Sequence, residues 1–322
     1  MNDLQGIDLE ELRKQQALWM VGGRPPRQVL PWTDYHLAGS AEDRQLGQTL
    51  LAEGKMGCIV LAGGEGSRLG AGRPKGTIAV AGDKSLFELI AQRTRGPLAI
   101  MTSPGNHEAT VHFFEEHSYF GLKEVSFFQQ RELPLLTPAG APFIREGRIA
   151  MGPNGNGEVM RQFCGCGLWE SWERQGVEYL SIVPIDNPLA DPFDPELLGF
   201  SHRMGNDLTL KSIFAEESRH SVGILAKEGE RLSVIEYSEL AGEVPKGALA
   251  NLSLYCVSMA HAKGVSTKEL PLHMVKRGHW KFETFIFDLW DHGEVLVYPK
   301  ATCFAPLKTA EDLQLLKDTL FA

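Results

Sequence analysis

The 322-residue sequence has no apolar run approaching the roughly 18 residues that a membrane helix needs, so nothing in it is expected to span a bilayer. Cysteine is scarce. The five present, Cys58, Cys164, Cys166, Cys256 and Cys303, are too few in so long a chain for a disulfide framework. Only Cys164 and Cys166 are close, and C-x-C is not the C-x2-C spacing of a zinc knuckle or a redox pair. Reduced thiols in a cytoplasmic protein are the expectation. The opening MNDLQGIDLEELRKQQ is acidic and amphipathic and lacks an apolar h-region, which predicts no signal peptide. Positive charge is in deficit, with 32 Lys and Arg against 41 Asp and Glu. A net charge of -9 excludes a protein that coats nucleic acid or an anionic membrane by bulk charge. A small anionic ligand is still accommodated where a few bases gather locally. His107, His112 and His117 step by five residues and rotate around a helix, so they do not stack as metal ligands.

What the sequence does contain is the mix of an ordinary globular protein. Hydrophobic residues are 43% and charged residues 23%, which excludes disorder and leaves one large or two moderate domains. Residues 8–20 and 41–54 repeat apolar positions at helical spacing around the Pro-rich connector GGRPPRQVLPW. Residues 1–50 therefore read as a helical N-terminal extension. From 51 the pattern alternates. MGCIVLA (56–62), PLAIMTS (97–103), VSFFQQ (125–130) and VEYLSIVPID (177–186) are short apolar runs expected as buried strands. Between them, helices are expected over 85–95, with Ser85 and Glu88 as a capping box, over 106–118 and over 157–175. Strands alternating with helices argue a parallel sheet covered on both faces. After about 205 the segments LTLKSIFA, SVGILAKEGERLSVIEYSEL and ALANLSLYCVSM read as strands with tighter turns, KEGER being a hairpin turn. They are expected to add antiparallel strands over a site. A last helix over 309–320 is opened by Thr309 as N-cap.

The most informative stretch is LAGGEGSRLGAGRPKG (61–76), where Gly63, Gly64, Gly66 and Gly70 follow a buried strand directly. Glycine there lets backbone N–H groups approach a phosphate. Arg68 and Lys75 add cationic donors for phosphate oxygens, and Pro74 stiffens the chain before Lys75. Glycines alone would mean only a tight turn. The spacing misses the G-x-G-x-x-G dinucleotide fingerprint by one residue, and Gly76 after Lys75 breaks the G-K-[ST] of a P-loop.

G-G-x-G-[ST]-R-L-x4-P-K is similar to the signature of sugar-nucleotide pyrophosphorylases. In more detail the chain resembles the UDP-N-acetylglucosamine/UDP-glucose pyrophosphorylase family of the eukaryotic type. The likeness continues in order through MTSPGNHEATVHFFEEHSYFGL (101–122), FFQQRELPLL (127–136), GPNGNGEVMRQF (152–163), VEYLSIVPIDNPLADPFDPELLGF (177–200) and SVGILAKEGERLSVIEYSEL (221–240). LPLHMVKR (270–277), FETFIFD (282–288) and APLK (305–308) complete it, so it covers about 50–320.

The resemblance implies a Rossmann-like mixed α/β sheet of the nucleotidyltransferase (GT-A-like) type, helices on both faces and an added antiparallel sugar-side sheet. The catalytic domain would run over 51–322, with the sugar-binding portion and C-terminal helix from about 205. The implied reaction joins UTP and a sugar 1-phosphate into a UDP-sugar and pyrophosphate with Mg2+. N-acetylglucosamine 1-phosphate is the expected substrate and glucose 1-phosphate the alternative. A non-catalytic UDP-sugar-binding relative is a further alternative. By the same resemblance, Arg68, Lys75 and Lys308 act on the phosphates. Leu61, Ala62, Gly63, Gly64, Gly155, Asn156 and Asp186 meet the nucleotide, and either Gln129 or Gln130 reads the uracil edge. Gly223, Glu236, Asn251, Phe285 and Phe287 are assigned to the sugar. Asp186 is also the expected Mg2+ ligand, since a carboxylate ending a buried strand suits that ion; capping of the turn at Asn187-Pro188 is its plainer use. Glu239 is expected at the surface and His273 as a satisfied structural residue. Two positions depart from the family pattern: Ala248 stands where a second Asn is usual, and Glu158 where Gly is frequent. Eukaryotic members carry a further C-terminal domain that these 322 residues do not include, and a monomer or weak oligomer is expected.

Overall fold

The computed structural model describes residues 8–64, 72–215, 222–276 and 278–319. Arg68 therefore lies outside the described residues.

One sheet of ten strands organises the chain. Its strands are β1 (His36–Leu37), β2 (Met56–Leu61), β3 (Leu98–Thr102), β4 (Val125–Gln129), β5 (Tyr179–Pro184), β6 (Leu208–Phe214), β7 (Ile224–Glu228), β8 (Arg231–Ile235), β9 (Leu249–Ser258) and β10 (Glu294–Val297). Across the sheet the order is β1-β10-β6-β9-β5-β2-β3-β4, and the hairpin β7-β8 joins through β7 to β9. The pairs β4-β3, β3-β2 and β2-β5 are parallel. The sheet is mixed because β9 runs antiparallel to both β5 and β6. The parallel sheet expected from the alternation thus holds for the first four long strands, and β6-β10 and β1-β10 are parallel as well, so β9 is the reversed strand in that order. The late hairpin enters by direct pairing, with no helix between its strands, as a turn of two residues permits.

Each central strand is buried on both faces, as its unbroken apolar run requires. Cys58 and Val60 of β2 belong to one core, and Ile59 and Leu61 to the other. The first core packs against α2 (Ala41–Ala52), α3 (Leu86–Arg93), α4 (His107–Glu116), α7 (Pro195–Met204) and α9 (Ala310–Thr319). The second packs against α5 (Val159–Gly165), α6 (Leu168–Arg174) and α8 (Met259–Val265). The single helix expected over 157–175 is two, because Gly167 adopts φ +81 between α5 and α6. Local caps fall where the sequence places them. Glu88 N–H donates to Ser85 Oγ at 3.1 Å, and Asp312 N–H to Thr309 Oγ1 at 3.2 Å.

Helix α1 (Leu9–Met20) lies on a small cluster of Leu133, Leu136 and Phe282, and Gln15 Nε2 donates to Pro134 O at 3.1 Å. Helix α2 crosses α7 at a pair of glycines. A Cβ at Gly47 would lie 1.7 Å from Pro195 O, and one at Gly199 would lie 1.8 Å from Asp43 O. Two ion pairs flank this crossing: Arg203 forks onto Asp43, and Arg44 meets Glu196 at 2.9 Å. Among the described residues no helix is long and apolar enough to cross a membrane.

Candidate active site

Strand order reverses between β2 and β5: the chain steps outward from β2 to β4, then returns to β2's other side with β5. Open α/β sheets bind ligands in the crevice beyond the carboxyl ends at such a point. A cleft of about 680 Å3 opens there. Leu61 ends β2 and Gly63 and Gly64 follow it, Gln130 follows β4 and Asp186 follows β5, and all five line the cleft. On the far wall stand Gly223, Glu236, Asn251, Phe285, Phe287 and Lys308, with Lys75 between the two groups.

The glycine turn is built by its neighbours. Asn106, buried ahead of α4, donates through Nδ2 to Ala62 O at 2.9 Å and Gly64 O at 3.2 Å. Its Oδ1 accepts from Ser103 N–H at 2.8 Å. Asn106 thus holds the strand-to-glycine turn, a task the sequence reading missed although the residue lies inside the quoted MTSPGN block. Ala62 is 2% exposed and acts through its backbone. Gly63 leaves room for an amide: a Cβ there would lie 2.1 Å from Gln130 Nε2. Of the two glutamines, only Gln130 reaches the cleft. Gln129 ends β4 on the exposed side, because adjacent strand residues point to opposite faces.

Gly155 and Asn156 are laced onto the residues on either side of Phe285. Gly155 takes φ +85 with its α-carbon against Thr284 O, where a Cβ would approach to 2.4 Å. Ile286 N–H donates to Asn156 Oδ1 at 2.9 Å.

At the end of β5, Lys75 Nζ lies 3.3 Å from Asp186 Oδ2 and 3.3 Å from Leu307 O. Leu307 N–H donates back to Asp186 O at 2.6 Å. The turn role weighed for Asp186 belongs to Asn187, whose Oδ1 accepts from Leu189 N–H at 3.3 Å and Ala305 N–H at 3.1 Å. Asn187 Nδ2 also donates to Cys303 O at 2.7 Å. Residues 303–308 are thereby strapped across the end of β5, which carries Lys308 to the cleft. Asp186 is a lone carboxylate; among the described residues no three His, Cys, Asp or Glu gather to cage a metal. One carboxylate at the end of β5 does suit a hard cation that takes its other ligands from bound phosphates and water.

The far wall is shaped by a bulge. The β6-β9 register shifts between Lys211 and Ser212, and Ser253 has φ +55. Asn251 beside it lines the cleft and accepts Tyr255 Oη–H at 2.9 Å. Its N–H donates to Gly223 O at 2.8 Å. Glu236 Oε2 would lie 3.3 Å from a Cβ on Gly223. Burial pushes the Glu236 carboxyl up to about 7, against the opposing pull of Lys308 and His273. The Phe285 and Phe287 rings stack at 5.0 Å and 21°, and His273 packs edge-on to both. They are not strand core: Phe285 leads into a 3-10 turn, Ile286–Leu289, and Phe287 lies within it.

His273 is satisfied, as expected, and it also lines the cleft. Its Nδ1 meets Glu239 Oε1 and its Nε2 meets Asp288 Oδ2, both at 2.7 Å. Burial opposes the imidazolium, but the two carboxylates outweigh it and the His273 pKa is raised. Glu239, expected at the surface, is 7% exposed. The 3-10 turn Tyr237–Glu239 tucks it under the hairpin toward His273. Ala248 is fully buried and donates its N–H to Pro245 O at 3.1 Å.

Over residues 21–251 the sequence matches the family model for UTP–glucose-1-phosphate uridylyltransferase. The chain belongs to this family. Among curated uridylyltransferase relatives, the UDP-N-acetylglucosamine pyrophosphorylase of Saccharomyces cerevisiae is 29% identical, the match covering 81% of this chain and 66% of the yeast protein. The UDP-N-acetylglucosamine diphosphorylase 1 of Arabidopsis thaliana is 33% identical over 97% of this chain and 72% of its own length. The chain thus spans roughly two thirds to three quarters of these two relatives. In fold it is similar to the crystal structure of uridine diphosphate N-acetylglucosamine pyrophosphorylase from Trypanosoma brucei, at TM-score 0.79 and 23% identity, covering 98% of this chain and 77% of that one. The family confirms the mixed nucleotidyltransferase-type sheet and a nucleotidyltransferase activity as this chain's class.

Proposed function

We propose that the chain transfers a uridylyl group from UTP to N-acetylglucosamine 1-phosphate, releasing pyrophosphate. The observation that carries this reading is the meeting of Lys75, Asp186 and Lys308 at the sheet's switch point. An amide-lined notch, Gly63 with Gln130, lies on one side, and a stacked aromatic pair on the other.

A phosphate oxygen of the sugar phosphate attacks the α-phosphorus of UTP. The bond to the bridging oxygen breaks, and pyrophosphate leaves with its electron pair. Catalysis is positioning plus charge stabilisation, since the two substrates repel each other. Arg68, Lys75 and Lys308 hold the phosphates, with the backbone of Leu61 to Gly64 beneath them. Gln130, Gly155 and Asn156 read uracil through amide and backbone groups. Glu236 and Asn251 meet sugar hydroxyls, Gly223 lets the chain come close, and Phe285 and Phe287 floor the sugar side. Asp186 would hold Mg2+, which supplies charge neutralisation between the phosphates. Five cysteines that form no disulfide, three of them buried, support a cytoplasmic setting.

The test is pyrophosphate release from UTP, Mg2+ and a panel of sugar 1-phosphates. The expected result is highest kcat/KM with N-acetylglucosamine 1-phosphate. Preference for glucose 1-phosphate would move the chain to the substrate in its family's description. UTP binding without release from any sugar would end the enzyme reading.

A further inference from the structure

Arg131 and Glu158 form a two-pronged ion pair, Nε to Oε2 at 2.6 Å and one terminal nitrogen to Oε1 at 2.5 Å. Arg131 directly follows Gln130, and Glu158 stands two residues after Asn156. The roots of these two segments already pair in the short ladder Glu132–Pro134 with Met151–Pro153, and Asn154 N–H donates to Arg131 O at 3.0 Å. The ladder stops there. Residues 155–157 turn away to pack on Thr284, with Gly157 N–H donating to Thr284 O at 3.0 Å. Beyond that point the side-chain fork ties the Gln130 wall to the Asn156 wall.

The carboxylate is placed for this task. Glu158's side chain is 10% exposed, and Gln162 Nε2 donates to it at 3.4 Å from the next turn of α5. Burial alone would raise its pKa, but the Arg131 guanidinium outweighs it and holds the group ionised. A fork of two parallel N–H···O bonds fixes angle as well as distance, which a single lysine contact does not.

We propose that the Arg131–Glu158 pair is a positioning clamp that sets the separation of Gln130 and Asn156, and so controls uridine-nucleotide recognition. This rests on the uridylyltransferase reading. The clamp touches no substrate, so its loss raises the cost of organising the base pocket and leaves the reacting phosphates where they were.

Steady-state kinetics with UTP and N-acetylglucosamine 1-phosphate test it on Arg131→Ala, on Glu158→Gln and on the swapped pair Arg131→Glu/Glu158→Arg. The expected result is a roughly tenfold rise in KM for UTP in each single variant, with kcat and the sugar-phosphate KM changed less than about twofold. Preference for UTP over CTP narrows, and the swapped pair recovers part of the UTP KM. Unchanged KM for UTP with a lowered Tm makes the pair a plain structural bridge and overturns the proposal. Should the alanine variant fail to fold, Arg131→Lys keeps the charge and loses the fork. A several-fold higher UTP KM in it supports the clamp, and a wild-type KM overturns it. Wild-type protein that neither binds nor turns over UTP overturns the function and the clamp together; turnover with unaltered variants overturns the clamp alone.

Discussion

Lys75 Nζ lies 3.3 Å from Asp186 Oδ2, although the two residues are far apart in sequence. The same ammonium donates to Leu307 O. One cation thus joins the turn after the glycine loop, the end of β5 and the strap that carries Lys308. With both ends only partly exposed, the pair holds a positive charge ready at the switch point without leaving it unpartnered.

Removing that cation separates chemistry from folding. Lys75→Ala is expected to lower kcat by about 100- to 1,000-fold, because a positioned charge on the transferring phosphates is lost. Asp186 is about a quarter exposed and can rehydrate, so the Tm is expected to stay within a few degrees. Pyrophosphate release and a thermal melt on the same preparation check this. Wild-type turnover in the variant removes Lys75 from the mechanism.

Gly63 and Gln130 make a coupled pair. A methyl group at 63 takes the space of the Gln130 amide, which is 6% exposed and confined. Gly63→Ala is expected to raise KM for UTP by roughly tenfold, about 1.4 kcal/mol. Gln130→Ala added to it should cost little more, since the amide is already displaced. Full additivity in the double-mutant cycle would contradict the shared notch.

Glu236 is expected to make stability depend on pH and, in the proposed sugar role, sugar binding as well. Its carboxyl is pushed up to about 7 by burial, with Glu239 and Glu283 adding to the rise and Lys308 and His273 opposing it. The folded pKa is above the unfolded value, so the native state binds the extra proton between about 4.5 and 7. Stability from this group is therefore full below about 4.5 and falls as pH rises through 7. Glu236→Gln should remove that slope and gain at most about 3 kcal/mol on wild type at pH 8. Urea unfolding at pH 5 and pH 8 measures it. KM for the sugar phosphate is expected to fall in wild type as pH rises through 7, when the acceptor carboxylate forms. A flat profile would take Glu236 out of sugar recognition.

The α2–α7 crossing is predicted to tolerate no side chain. A Cβ at Gly47 or Gly199 meets backbone oxygen below 2 Å, and backbone cannot rotate aside as a side chain can. Gly47→Ala and Gly199→Ala should each lose about 1–3 kcal/mol or more in chemical denaturation. The loss persists in high salt, which separates it from the flanking ion pairs. A neutral effect would mean that the helices move apart at no cost.

Local rules read well wherever the signal was local. Ser85 and Thr309 cap the helices they precede, and the double-faced burial of β2 and β3 follows from their unbroken apolar runs. The reading failed where one residue's backbone outweighed the composition around it, as at Gly167, which parts α5 from α6. It failed again at Glu239. A charged side chain in a polar turn reads as solvated, yet here a buried imidazolium compensates it. Asn106 had a visible signal, an amide just ahead of a helix, but the turn it serves lies 42 residues earlier.

Order, chemistry and partition belong to the sequence itself. The glycines after β2, the charged residues near them and the succession of strands and helices are all written in linear neighbours. What folding alone decided is which of two equivalent choices faces inward. Alternation puts Gln129 and Gln130 on opposite sides, but only the packed sheet says which side holds the cleft. Asp186, Asn187 and Lys308 likewise become one site only when the chain returns across β5. The reason is that side-chain period is a local property of the backbone, whereas the direction of the ligand cleft depends on contacts between segments hundreds of residues apart.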